Sequence, residues 1–256
     1  MDRSLSRLSK VPEVTFYFWI TKILATTLGE TGGDAVTMSM KLGYAIGTAI
    51  FATVFVAAVA GQISAKKFNP FLYWSVIVAT TTAGTTLADL LDRSLGIGYA
   101  GGSSILFVLV LATLAIWHKS LGSISVETIR SPRAEAFYWA TIMFSQTLGT
   151  ALGDWVADEK AGFGLGYEGG AIVFAAGLAI LAAAYYWTRL SRTALFWAAF
   201  VLTRPLGATI GDWLDKPLAN GGLAMNRYAA SAVLAVLIAL CVWFFPQRAA
   251  EEKAVA

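Results

Sequence analysis

The stretch Trp19–Asp34, WITKILATTLGETGGD, decides the fold because the chain writes it four times. The other copies are WSVIVATTTAGTTLAD at 74–89, WATIMFSQTLGTALGD at 139–154 and WAAFVLTRPLGATIGD at 197–212. Aligned without gaps, each reads Trp, nine residues, Gly, three residues, Gly or Ala, Asp. Self-similarity of this kind marks an architecture assembled from one repeated unit. A second pattern follows each copy. It reads Leu42-Gly43-Tyr44 with Gly47, Ile97-Gly98-Tyr99 with Gly102, and Leu165-Gly166-Tyr167 with Gly170, and it decays to Arg227-Tyr228 with Ser231 in the fourth. The unit is therefore a two-helix hairpin, with copies at about 12–66, 67–120, 132–190 and 191–247 of a single domain spanning 1–256.

Composition places this unit in a membrane. Hydrophobic residues make up 57% of the chain and charged residues only 14%, where a soluble domain carries roughly 25% charged. Mean hydropathy is +0.65, which also excludes disorder. The net charge of +3 does not make a nucleic-acid binder, which needs its bases clustered on a soluble face. A bilayer core about 30 Å thick takes roughly 20 apolar residues per helix. Four nearly charge-free segments meet that length: 42–63, 100–117, 171–187 and 228–245. Four more end in the motif aspartate: 14–34, 71–89, 136–154 and 194–212. The expected fold is an all-α, polytopic transmembrane bundle of about eight spans, with no soluble domain. The basic start, Met1–Lys10, looks like that of a signal peptide, but the first span belongs to the repeat and is read as a retained helix. Lys and Arg number twelve on the side of the N-terminus and five on the other. That bias puts both termini in the cytoplasm of a bacterium, across its inner membrane.

The Trp-x9-Gly-x3-Gly-Asp units resemble the bacterial "membrane-anchored protein" family, whose members are of similar length and are built from four repeats of unknown function. The resemblance covers nearly the whole chain. It implies the four-repeat membrane architecture and brings no activity with it.

The repeated residues carry the chemistry. Gly29 and Gly33, Gly84 and Ala88, Gly149 and Gly153, and Gly207 and Gly211 place small residues on one helix face, where two backbones can approach closely. Each Trp suits an interfacial anchor near the cytoplasmic face, and the fifteen residues from Trp to Asp span about 22 Å of helix. The acids Glu30, Asp34, Asp89, Asp92, Asp154, Asp212 and Asp215 all lie on the motif side of the chain. Gathered inside the membrane, they make an oxygen-rich site for a hard cation or for protons. At solvated helix ends they do nothing of the kind. Asp34, Asp89, Asp154 and Asp212 are the expected metal ligands. Lys22 and Arg204 are the two basic residues within spans, and are expected as counter-charges to the acids; binding an anion is the competing role. Residues at the level of Arg204 in the other copies are Thr26, Thr81 and Gln146, all polar.

Soft-metal sites are not supported. Cys241 and His118 are single, and copper or zinc wants several Cys, His or Met. His-Glu-x-x-His, Gly-x-Ser-x-Gly and phosphate-loop motifs are absent, so no enzyme and no cofactor is expected. The reading that follows is a secondary transporter or exporter of a hard cation of the Mn, Mg or Ca kind, coupled to protons or sodium, with four hairpins packed as two pairs. Its partners are the lipid bilayer, the cation and protons, with no nucleic acid, and its glycine stripes admit a homo-oligomer. The alternative is a non-transporting scaffold or partner subunit assembled through those glycines.

Overall fold

A polar cap opens the first helix of every copy. Thr15, Asn69, Ser131 and Ser191 accept a backbone N–H from the first turn of α1 (Phe16–Asp34), α3 (Pro70–Asp89), α5 (Pro132–Ala157) and α7 (Arg192–Asp215), satisfying an otherwise orphan donor. The second helices are α2 (Gly43–Ser64), α4 (Gly98–Leu121), α6 (Gly166–Trp187) and α8 (Arg227–Phe244). Three of them begin on the glycine of the Gly-Tyr motif, which takes φ of 75°, 75° and 65° at Gly43, Gly98 and Gly166, a conformation other residues avoid. The fourth replaces that device with Asn226, whose side chain accepts from the backbone of Tyr228 and Ala229. This explains why the motif is lost there. The computed structural model describes residues 8–245 and 247–251. Residues 1–7, with Arg3 and Arg7, and Lys253, three of the twelve bases on the N-terminal side, lie outside the described residues.

Packing follows a ring. The first helices touch in cyclic order, α1 on α3, α3 on α5, α5 on α7 and α7 back on α1. Each second helix lies outside this ring against the first helix of the following copy: α2 on α3, α4 on α5, α6 on α7 and α8 on α1. The expectation of hairpins packed as two pairs is corrected to a closed ring of four. The two helices of one copy are joined in sequence but pack mainly on other copies.

Four repeats thus make one membrane bundle of eight helices. Six are long and apolar enough to cross a membrane by themselves, and α1 and α5 are the exceptions. Both belong to the inner ring and carry charge there, Lys22, Glu30 and Asp34 on α1 and Arg133, Glu135 and Asp154 on α5. The outer helices expose an apolar surface that suits lipid, with Ile46, Val54, Phe107, Val173 and Val236 all uncovered.

At the end of the ring opposite the motif aspartates, the described termini meet. β1 (Leu8–Pro12) pairs antiparallel with β2 (Ala249–Glu251). Lys10 donates to the carbonyls of Gln62, Ile63 and Ala65 at the end of α2 and pairs with the buried Glu135 at 2.5 Å. Above this clasp lies an aromatic layer. Trp74, Trp139 and Trp197 are buried with Phe18, Tyr73, Tyr138 and Phe196. Three of the four motif tryptophans therefore act in the core rather than as lipid-interface anchors, and the fourth, Trp19, is half-buried.

Candidate functional site

Positions four apart on an α-helix share a face, so the inner helices build a stack of layers along the ring axis. Counting from the aromatic end, these are Lys22, Ile77, Ile142 and Phe200; then Thr26, Thr81, Gln146 and Arg204; then Glu30, Thr85, Thr150 and Ala208; and last the aspartates 34, 89, 154 and 212. The glycines set the distances between helices. A methyl group added to Gly29 would overlap Thr81, at Gly84 it would press on Gln146, at Gly149 on Arg204 and at Gly207 on Thr26. Each copy thus seats the same position of the next copy, and the fourth seats the first. One turn on, Gly33 faces Thr85, Gly153 faces Ala208 and Gly211 faces Glu30. Ala88, the departure from glycine, is also buried. The close approach lets hydroxyls bond across helices: Thr81 donates to the carbonyl of Ala25 at 3.1 Å and Thr26 to that of Thr203 at 3.2 Å.

Arg204 fills the axis. Its Nη2 donates to Glu30 Oε2 at 2.9 Å, Thr85 Oγ1 at 2.5 Å and Thr150 Oγ1 at 2.6 Å. One side chain of the fourth copy therefore touches the equivalent residue of each of the other three. Both members of the Arg204–Glu30 pair are buried, as an ion pair in a membrane interior must be.

The four motif aspartates are all buried, yet they do not form the single four-carboxylate cage expected of them. They divide into two pairs, each around one cationic side chain. Lys216 bridges Asp34 and Asp212, the second at 3.0 Å. Arg93 bridges Asp89 at 3.1 Å and Asp154 at 2.9 Å. Arg93 and Lys216 occupy equivalent places in the second and fourth copies, one turn beyond the motif Asp. The ring of four thus carries a charge pattern of twofold symmetry.

The two halves differ in their outer members. Asp215 is paired with Arg227 at 3.0 Å, and Arg227 also lies 3.8 Å from Asp34. Oxygens of Asp34, Asp212 and Asp215 all lie within 4.8 Å of one another. Asp92, the counterpart of Asp215, is buried, and neither of its oxygens has a hydrogen-bond partner. Lys216 stands just past α7. Burial alone would lower its pKa, but Asp212, Asp34 and Asp215 outweigh burial and hold it well above the ordinary lysine value. In the third copy the place of Arg93 and Lys216 is taken by Asp158, which accepts the backbone N–H groups of Lys160 and Ala161 at 2.8 Å each and so ties down its own loop.

Lys22 is not part of this acid layer. It lies three layers deeper, buried, with Thr203 Oγ1 at 3.4 Å and the Phe200 ring at 4.0 Å as its contacts. Its expected role as counter-charge to the acids is corrected on this geometry; Arg204 reaches Glu30 but none of the aspartates. The bridging cations are Arg93, Lys216 and Arg227, three of the five bases on the side away from the N-terminus. A signal for two of them was present. Arg93 and Lys216 follow Asp89 and Asp212 by four residues, the spacing of a helical ion pair.

Comparison with known proteins leads to one family. The chain matches the repeat described as Repeat of Unknown Function (DUF347) four times, at residues 17–68, 72–122, 137–191 and 195–249. Neither curated proteins nor solved structures gave a match. Four tandem matches span most of the chain and coincide with the four copies of the ring, so the chain belongs to the DUF347 repeat family.

Proposed function

We propose that the protein is a secondary carrier for a hard inorganic cation of the Mn, Mg or Ca kind, exchanged against protons or sodium. The observation that carries this reading is the cluster of Asp34, Asp212 and Asp215, whose oxygens lie within 4.8 Å of one another around the ammonium of Lys216. Buried carboxylates at that spacing suit a hard divalent ion. Lys216 holds the site when the ion is absent, so the cluster is never an uncompensated group of charges, which would be costly to bury. Arrival of the cation displaces the ammonium, and departure readmits it. Arg93 serves Asp89 and Asp154 in the same way, with Asp92 beside it. The Arg204–Glu30 pair blocks the axis behind the acids and keeps ions from leaking through.

In this reading the acid layer faces the outside of a bacterial cytoplasmic membrane and the β1–β2 clasp faces the cytoplasm. No catalytic step is involved. The reading is tested in proteoliposomes loaded with a divalent-ion indicator under an imposed proton or sodium gradient. Wild-type protein is expected to move at least one of Mn²⁺, Mg²⁺ and Ca²⁺, and Asp34→Asn with Asp212→Asn to abolish that flux. Absence of wild-type flux for all three ions, or flux surviving both changes, overturns it.

The filled axis and the four glycine seats favour a second reading, a non-transporting scaffold. It predicts that the Asp→Asn changes are harmless to function, while Gly→Leu changes in the ring destroy the assembly.

A further inference from the structure

The inner layers that hold Lys22 and Arg204 have more hydrogen-bond donors and more positive charge than the protein satisfies. Lys22, Gln146 and Arg204 are each fully buried. Arg204 spends only Nη2 on Glu30, Thr85 and Thr150, and its Nε and Nη1 have no partner. The amide of Gln146 is unpartnered at both atoms. The ammonium of Lys22 has three protons, one long hydrogen bond, to Thr203 Oγ1 at 3.4 Å, and the face of the Phe200 ring at 4.0 Å. That hydroxyl belongs to the residue preceding Arg204, so the layer of Lys22 adjoins the layer of Arg204 and Gln146. Arg204 itself leans on Gly149, one turn from Gln146 on α5. Two fully buried side chains with unpartnered groups, Arg204 and Gln146, therefore lie in the layer next to a buried lysine that is short of partners.

Charge gives the class of ligand. Glu30 is the acid paired with Arg204, and Lys22 has no carboxylate within ion-pair distance among the described residues. An isolated charge is rarely left bare in a low-dielectric interior. A water molecule would use the donors but leave the charge uncompensated; a small anion does both. Phe200, Ile77 and Ile142 leave the layer of Lys22 no acid of its own.

We propose that a small monovalent inorganic anion of the chloride kind binds on the ring axis between Lys22 and Arg204, with Gln146 as a neutral donor. The anion joins α1, α5 and α7 and acts as a structural ion of the inner ring. This site is separate from the acid layer and does not depend on the carrier reading.

Radiolabelled chloride binding to the purified full-length protein in detergent tests it, with melting temperature in chloride, bromide and gluconate at equal ionic strength as a second readout. Wild-type protein is expected to bind chloride saturably and to melt higher in chloride and bromide than in gluconate. Lys22→Met is expected to lose both effects while melting in gluconate no lower than the wild type, because it removes the buried charge that the anion compensates. Gln146→Leu, which keeps both cations, is expected to weaken chloride binding at least several-fold. No saturable binding to the wild type, or chloride binding unchanged in Lys22→Met, overturns the proposal. Should Lys22→Met fail to fold, the wild-type binding measurement and Gln146→Leu decide it.

Discussion

At the scale of single residues, the ring is held by contacts of opposite kinds, and each has its own signature on substitution. Gly149 lies against Arg204 with no room for a side chain, so Gly149→Leu is expected to force α5 and α7 apart and cost more than about 3 kcal/mol, the upper range of ordinary overpacking. Gly61, on the outer helix α2, has open space where a Cβ would stand, and Gly61→Ala is expected to change stability by less than about 1 kcal/mol. Denaturation in detergent compares the two. The Arg204–Glu30 pair behaves differently again. Glu30→Gln leaves a buried guanidinium without its acid and is expected to cost about 3–5 kcal/mol. Glu30→Leu combined with Arg204→Met removes both charges and is expected to cost much less than either change alone. A double variant as damaged as the sum of the single ones contradicts this. The sequence named the glycines by their repetition, and Glu30 and Arg204 by their charge within or beside the spans. It did not pair them, because Glu30 and Arg204 lie 174 positions apart and only closure of the ring brings them together.

At the scale of elements, the repeat was legible and the way the copies interlock was not. The Trp-to-Asp pattern gives the first helix of each unit, the Gly-Tyr pattern gives the start of the second, and the caps fall on Thr, Asn and Ser as helix physics prefers. Sequence adjacency then suggests that the two helices of a hairpin pack together. The glycine seats instead direct the inner helices to one another, and each outer helix finds the next copy's flank. The clasp of β1 and β2 had no signal in periodicity, since five and three residues are too few to show one. Its key residue is Lys10, which ties α2 to Glu135. Lys10→Ala is expected to speed amide hydrogen exchange in the last turn of α2, around Gln62–Ala65, and to leave exchange around Asp34 and Asp212 unchanged. Equal loosening at both ends would show that the clasp does not act locally.

At the scale of the whole molecule, a ring of four copies carries a charge pattern of two. Helix packing repeats four times, while bridging cations occur in the second and fourth copies only. Opposite ends of the bundle have different chemistry: aromatic rings and the terminal clasp at one, carboxylates with Lys and Arg at the other. In the proposed orientation, a cysteine replacing Lys41 is labelled by an impermeant thiol reagent from outside intact cells, and one replacing Lys66 is not, in a Cys241→Ala background. The reverse pattern inverts the molecule. In the proposed carrier, Lys216 occupies the cation site and competes with the ion. Equilibrium binding of radiolabelled Mn²⁺ to purified protein measures this most directly. Lys216→Met is expected to bind Mn²⁺ about tenfold more tightly than the wild type or better, a gain of about 1.4 kcal/mol, and Asp34→Asn with Asp212→Asn to abolish binding. Unchanged affinity in Lys216→Met, or binding that persists without the two carboxylates, would contradict it.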